Sequence, residues 1–166
     1  MTKHYWITSR RAWKTPCAIL LLTLLTAGGL PAVEPTKYST KELVYRNEGR
    51  YVVNLSVRWN RNGSNCEADP FEDKSTLGYG AARTANLAES GKWKLVHGKK
   101  TNCSLPIPPG EEVWLKVYIN SGEVKSCRKD NDQMIYDPAG GKVKYVTAGT
   151  TTLDNRCTID AVPDTL

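Results

Sequence analysis

Alternation of apolar and polar residues dominates two stretches of the chain. In RYVVNLSVRW (50–59), Tyr51, Val53, Leu55, Val57 and Trp59 fall on one side, and Val52, Asn54, Ser56 and Arg58 on the other. In EVWLKVYIN (112–120), Val113, Leu115, Val117 and Ile119 make a second such face. A period of two is that of a half-buried strand, because successive side chains on extended backbone point to opposite faces. Short turn-like links extend both: 41–46 joins the first strand through Asn47-Glu48-Gly49, and 123–128 joins the second through Asn120-Ser121-Gly122, each in the manner of a hairpin. Weaker strands are expected at 79–88 and 92–97, divided by Glu89-Ser90-Gly91, and Pro106, Pro108, Pro109 and Gly110 break the chain before 112–120. After Asp137-Pro138-Ala139-Gly140-Gly141, strands are expected at 142–147 and 151–159.

No window carries a 3.6-residue apolar stripe. Seven or eight short strands separated by turn signals predict an all-β chain, an antiparallel two-sheet β-sandwich, with Trp59 and Trp93 in its core. Neither an internal repeat nor a low-complexity linker divides it, so one domain is expected.

That domain is expected over residues 33–166. Residues 1–32 carry Lys3, Arg10, Arg11 and Lys14 without an acid, then the apolar run AILLLTLL (18–25) and small Ala32 after Leu30-Pro31, the three parts of a secretory signal peptide. The run is shorter than the ~20 residues of a membrane-spanning helix. A secreted or periplasmic protein is the expectation. Ser9-Arg10-Arg11-Ala12-Trp13-Lys14 is an imperfect twin-arginine signal, so the ordinary export route is preferred.

Removal of such a leader changes the charge. The chain has net charge +6, but 4 of its 23 Lys and Arg and none of its 17 Asp and Glu lie in the leader, leaving 19 against 17. With acids interspersed among the bases, the clustered cations a nucleic-acid binder needs are missing, and no nucleic-acid partner is expected. Cys17 leaves with the leader as well. Cys66, Cys103, Cys127 and Cys157 remain, an even number that predicts two disulfides in an oxidising compartment. Three pairings are open; Cys66 with Cys103 and Cys127 with Cys157 is the one expected, because it ties each half to itself. No CxxC spacing supports a zinc site.

Catalytic chemistry is sparse. His97 is the single histidine after the leader, and no GxSxG, HExxH, P-loop or GxGxxG motif occurs. Acids crowd 66–73 (Glu67, Asp69, Glu72, Asp73) and 130–137 (Asp130, Asp132, Asp137, with Asn131), where oxygen ligands for calcium are conceivable, but the EF-hand spacing is absent and loops gather charge because they face water. No catalytic residue, metal ligand or cofactor is assigned. Asn54, Asn62 and Asn102 begin Asn-X-Ser triplets that matter only in a eukaryotic secretory pathway. Aromatic residues point to binding instead. If Val113, Leu115 and Val117 face the core, Trp114 and Tyr118 lie on the opposite face with Lys116, where they stack on sugar rings or sit at a membrane interface, or where Lys116 simply lies over the ring.

Three segments in this order, GRYVVNLSVRWN (49–60), PGEEVWLKVYI (109–119) and GTTTLDNRC (149–157), together resemble the C-terminal β-sandwich domain of the cholesterol-dependent (thiol-activated) cytolysins and its stand-alone relatives. The resemblance covers about a third of residues 33–166 and implies a compact sandwich that docks on membranes, with a threonine-leucine pair in a tip loop recognising the sterol. The counterpart here is Thr152-Leu153, preceded by Thr151. The chain departs from the family after 112–120: the family's tryptophan-rich loop is replaced by the short polar Asn120-Ser121-Gly122-Glu123-Val124-Lys125. Residues 33–166 are expected to leave no room for the family's pore-forming domains. The expected function is a non-catalytic binding module that meets a membrane lipid or a glycan through Thr151, Thr152, Leu153, Trp114 and Tyr118. The alternative is a protein-binding module, such as an inhibitor, immunity factor or envelope-assembly partner.

Overall fold

The computed structural model describes residues 34–72, 76–96, 103–129, 131–151 and 155–163. His97, Asp73, Asp130, Thr152 and Leu153 lie outside these segments. Among the described residues ten strands form two five-stranded sheets: β1 (Thr36–Asn47), β2 (Val53–Arg61), β3 (Ser64–Asp69), β4 (Ala82–Asn86), β5 (Lys94–Leu95), β6 (Val113–Ile119), β7 (Val124–Ser126), β8 (Asp132–Tyr136), β9 (Gly141–Ala148) and β10 (Arg156–Ala161). The first sheet runs β10-β9-β1-β4 with β8 also on β1, and the second β5-β3-β2-β6-β7.

Alternation decides what each sheet buries. Val53, Leu55, Val57 and Trp59 of β2 and Val113, Leu115, Val117 and Ile119 of β6 meet Leu43, Tyr45, Ala85, Val143 and Tyr145 of the first sheet in one core. Trp59 is fully buried, and Trp93 packs partly buried against the same cluster. The two-sheet sandwich and both disulfides expected from the sequence are present, with Cys66 bonded to Cys103 and Cys127 to Cys157. The second bridge has a role beyond tying one half to itself: β7 and β10 are edge strands of different sheets, so it staples the two sheets together.

Pairing is antiparallel throughout the second sheet, but β1 pairs β8 and β9 in parallel. The direction follows from the path of the chain. After β7 it crosses to the first sheet at the end where β1 begins, and it then rises beside β1 in the same sense.

The 120–122 link closes the β6–β7 hairpin as expected, with Ser121 at φ 59°. The 47–49 link does not close a hairpin, since β1 and β2 belong to different sheets. Fully buried Asn47 turns the chain there: its amide donates to the Tyr51 and Leu77 carbonyls at 2.8 and 3.4 Å, and its Oδ1 accepts from Gly49 N–H at 3.0 Å. The Tyr51 ring folds back over residue 49, where an added Cβ would lie 2.1 Å from Tyr51 Cζ, so only glycine fits. The stretch expected as strands at 79–88 and 92–97 is strand only at β4 and β5, with a 3-10 helix at Leu87–Lys92 between them.

Candidate functional site

Strand directions bring four connections to one end of the sandwich. β1, β6 and β9 finish there and β2, β4, β7 and β10 begin there, as the pairings Val53 with Ile119, Arg46 with Ala82, Tyr118 with Val124 and Arg156 with Ala148 require. Among the described residues the rim is therefore built from 48–52, the 76–81 approach to β4, the 120–123 turn, and 149–151 with Asn155. Backbone hydrogen bonds lace them together: Asn120 N–H donates to Val52 C=O at 2.9 Å, Gly80 N–H to Asn47 C=O at 2.7 Å, and Arg50 N–H to Gly149 C=O at 3.0 Å. Gly122 approaches the 149–155 loop so closely that a Cβ would lie 2.7 Å from the Thr151 carbonyl oxygen. Asn155 donates to the same carbonyl at 3.1 Å, which ties residue 155 to residue 151.

Of the candidate residues, Thr151 is half-buried at this rim, and Thr152 and Leu153 lie outside the described residues. Trp114 and Tyr118 do share the outer face of β6, four residues or about 13 Å apart, with Tyr118 at the rim end and Trp114 at the far end. Neither ring stands bare. Trp114 is only 3 % exposed. The Arg128 guanidinium lies 5.0 Å from its centroid and is fixed by two hydrogen bonds to the Glu112 carboxylate at 2.8 and 2.6 Å. Lys116 Nζ sits 4.3 Å from the Tyr118 centroid, and the Tyr118 hydroxyl donates to Glu67. Replacing Arg128 by alanine is expected to uncover the Trp114 indole, shift its emission to the red and cost about 1 kcal/mol in chemical unfolding.

Glu67 is the electrostatic centre of the outer face. Sequence reasoning puts it in an acidic loop; it is instead in β3, directly across from Arg58, and only 3 % of its side chain is exposed. The missed signal is Asn62-Gly63, which forms the tight β2–β3 turn with φ of 49° and 78° and makes a strand of 64–69. Burial alone pushes the Glu67 carboxyl upward, but hydrogen bonds from Tyr118, Ser56 and Arg58, with the charge of Arg58, hold it down at about 2. Lys116 adds a second cation at 3.4 Å. With its oxygens committed to four protein side chains, Glu67 is a structural anion rather than a general base.

Asp132 and Asp137 are likewise in structure: Asp132 begins β8, and Asp137 accepts from the Ser39 hydroxyl at 2.7 Å and from Ala139 N–H at 2.9 Å, which lowers its pKa. Among the described residues no group of three His, Cys, Asp or Glu side chains converges as a metal site. Sequence reasoning also passes over Tyr79, which stands 73 % exposed on the rim. Its signal is the flanking pair Gly78 and Gly80, where the chain turns with Gly80 at φ 76° and Ala81 N–H bonded back to the Gly78 carbonyl at 3.2 Å.

Neither a protein-family model nor a curated protein matches the chain. Solved structures do. A structure described as a Gram-negative toxin is 13 % identical with a TM-score of 0.38, over 74 % of this chain and 23 % of that one. Suilysin from Streptococcus suis is 13 % identical with a TM-score of 0.33, over 73 % of this chain and 23 % of its own. The membrane-binding domain of pneumolysin is 12 % identical with a TM-score of 0.37, over 74 % of this chain and 97 % of that domain. This chain thus spans about a quarter of the whole toxins it matches. Pneumolysin and suilysin are cholesterol-dependent cytolysins, the family that the three segments resemble. Likenesses of this strength assign neither a ligand nor an activity.

Proposed function

We propose that the protein is an exported, non-catalytic binding module that meets a membrane lipid or a glycan through the loops at one end of its sandwich, with Thr151, Thr152 and Leu153 at the contact and Tyr118 beside it. The observation that carries this reading is the meeting of the 120–123 turn with residues 149–151 at the Gly122–Thr151 approach. Two disulfides suit an oxidising compartment, and the outer-face carboxylate is neutralised in place rather than left available for proton transfer. Trp114, sealed by Arg128 at the far end of β6, is in this reading a support for the outer face.

Co-sedimentation with liposomes, with and without sterol, and a glycan array test the proposal. Capture in either assay is expected, together with a loss of at least about tenfold when Thr152 and Leu153 are both replaced by glycine. Silence in both assays at high protein concentration, with a stoichiometric protein partner recovered from cell envelopes, overturns it in favour of a protein-binding module.

A further inference from the structure

The rim carries an apolar set that the sequence pattern does not single out. Among the described residues five large hydrophobic side chains are exposed, and three of them gather at this end: Tyr79 at 73 % and Val52 at 40 % on the rim, and Val124 at 52 % where β7 leaves it. They come from three separate connections with anchored stems. Leu77 exchanges both backbone hydrogen bonds with Val53, at 2.8 and 2.9 Å, and the Thr76 hydroxyl donates to Asn54 Oδ1 at 2.6 Å, which seats the Tyr79 turn against β2. Val52 holds Asn120 through its carbonyl, and Val124 pairs with Tyr118 across β6–β7. The order along the rim is therefore Tyr79, Val52, Asn120, Val124. The remaining two exposed residues, Val96 and Val162, are isolated from this set: Val96 follows the β5 edge and Val162 the far end of β10.

The charges around the three side chains are largely cancelled in place. Glu48 pairs with Arg46 at 3.2 Å and Glu123 with Lys125, which leaves Arg50, exposed two residues before Val52, as the one cation of 46–52 and 120–125 outside these pairs. A tyrosine with a polar tip beside two valines, framed by two internal ion pairs and the single cation Arg50, matches the headgroup boundary of an electroneutral bilayer, where amphipathic rings settle. A strongly anionic surface calls instead for unmatched cations.

The geometry points to Tyr79, Val52 and Val124 as interfacial anchors that seat the rim in a zwitterionic lipid surface without requiring sterol or anionic lipid. This inference rests on the end-loop reading above and names the lipid class and the residues that take it.

The test is co-sedimentation of the full chain with phosphatidylcholine vesicles, plain or containing cholesterol or phosphatidylserine, between about 0.05 and 0.5 M salt. Binding to plain vesicles is expected, changing by less than about twofold across that salt range. Tyr79→Ser is expected to weaken partitioning about tenfold and Val124→Ser about threefold, while Val96→Ser and Val162→Ser, exposed elsewhere at 40 % and 43 %, leave it within about twofold. A Tyr79→Trp reporter is expected to show blue-shifted emission over the unsubstituted chain on adding vesicles, quenched by brominated lipid. Thermal unfolding of each variant separates loss of fold from loss of contact. If the chain binds vesicles but the rim variants bind as well as the controls and the reporter stays unquenched, the anchors are refuted and the end-loop reading stands. Binding only with cholesterol, or only with phosphatidylserine at low salt, refutes the lipid class. Absence of binding to every vesicle refutes the inference, and absence of glycan binding besides refutes the reading on which it rests.

Discussion

Replacing Glu67 by alanine is expected to destabilise the protein by about 3 kcal/mol, the cost of removing one partner from a buried ion pair. The carboxylate accepts from Ser56 at 2.7 Å, from Arg58 at 2.8 Å and from Tyr118, and Lys116 completes the set. Removal strands the fully formed donors on a face where Ser56 is itself buried. The same group predicts an acid limb in the stability profile. Its folded pKa, about 2, lies below the ordinary 4.5, so between those values the unfolded chain binds the extra proton. The contribution is complete above the ordinary value and is lost as pH falls through that window, by about 2 kcal/mol at pH 3. Urea unfolding at neutral pH and near pH 3 measures both effects. Glu67→Ala is expected to lower the midpoint at neutral pH and to flatten this part of the acid limb. A variant that keeps the neutral midpoint, or retains the full limb, contradicts the assignment.

Opening the Cys127–Cys157 bridge by replacing both cysteines with alanine is expected to cost about 3–4 kcal/mol, from the freedom restored to the unfolded chain between residues 30 positions apart. That is a large share of the roughly 5–15 kcal/mol that stabilises an ordinary domain. The Cys66–Cys103 bridge closes 37 positions, so its removal carries a similar entropic cost. The two differ in where they act. Cys157 lies in β10 directly after the 149–155 loop and Cys127 follows β7, whose start carries Val124, so opening this bridge frees two rim connections at once. The Cys66–Cys103 bridge instead holds β3 to the segment before β6. Chemical unfolding of the two double variants is expected to give comparable losses of stability, with membrane capture weakened only in the variant lacking Cys127 and Cys157. A loss below about 1 kcal/mol, or equal weakening in both, contradicts this division.

The strands with strict alternation were legible because each has one face on the core: β2 and β6 bury every second residue, and period two survives in the sequence. β3 was not, since Glu67 is buried on the outer face by its own charge network, which reads as an acidic loop; Asn62-Gly63 is the local mark that separates the two. β8 was obscured in the same way by Asp132 and neighbouring acids, although Met134 and Tyr136 alternate inward. The β1–β2 link looked like a hairpin because Asn-Glu-Gly is turn chemistry, and only the burial of Asn47 beneath Tyr51 and Leu77 reveals a crossing between sheets. The disulfide pairing followed from proximity along the chain, while its stapling of two sheets needed the topology. At the candidate site, period two put Trp114 and Tyr118 outward, as observed, and offered Lys116 over a ring, as it lies over Tyr118, but gave no sign of Arg128 over Trp114. The contribution of Arg128 and the emergence of Tyr79 depend on contacts across loops distant in sequence.

Amide hydrogen exchange of the full chain, with and without phosphatidylcholine vesicles, bears most directly on the central claim that one end of the sandwich is the contact surface. The account predicts added protection confined to 48–52, 76–81, 120–124 and 149–155, with the outer faces and the β4 edge unchanged. Protection centred on the β4 edge or on the Trp114 end of β6, with the rim exchanging as before, would contradict it.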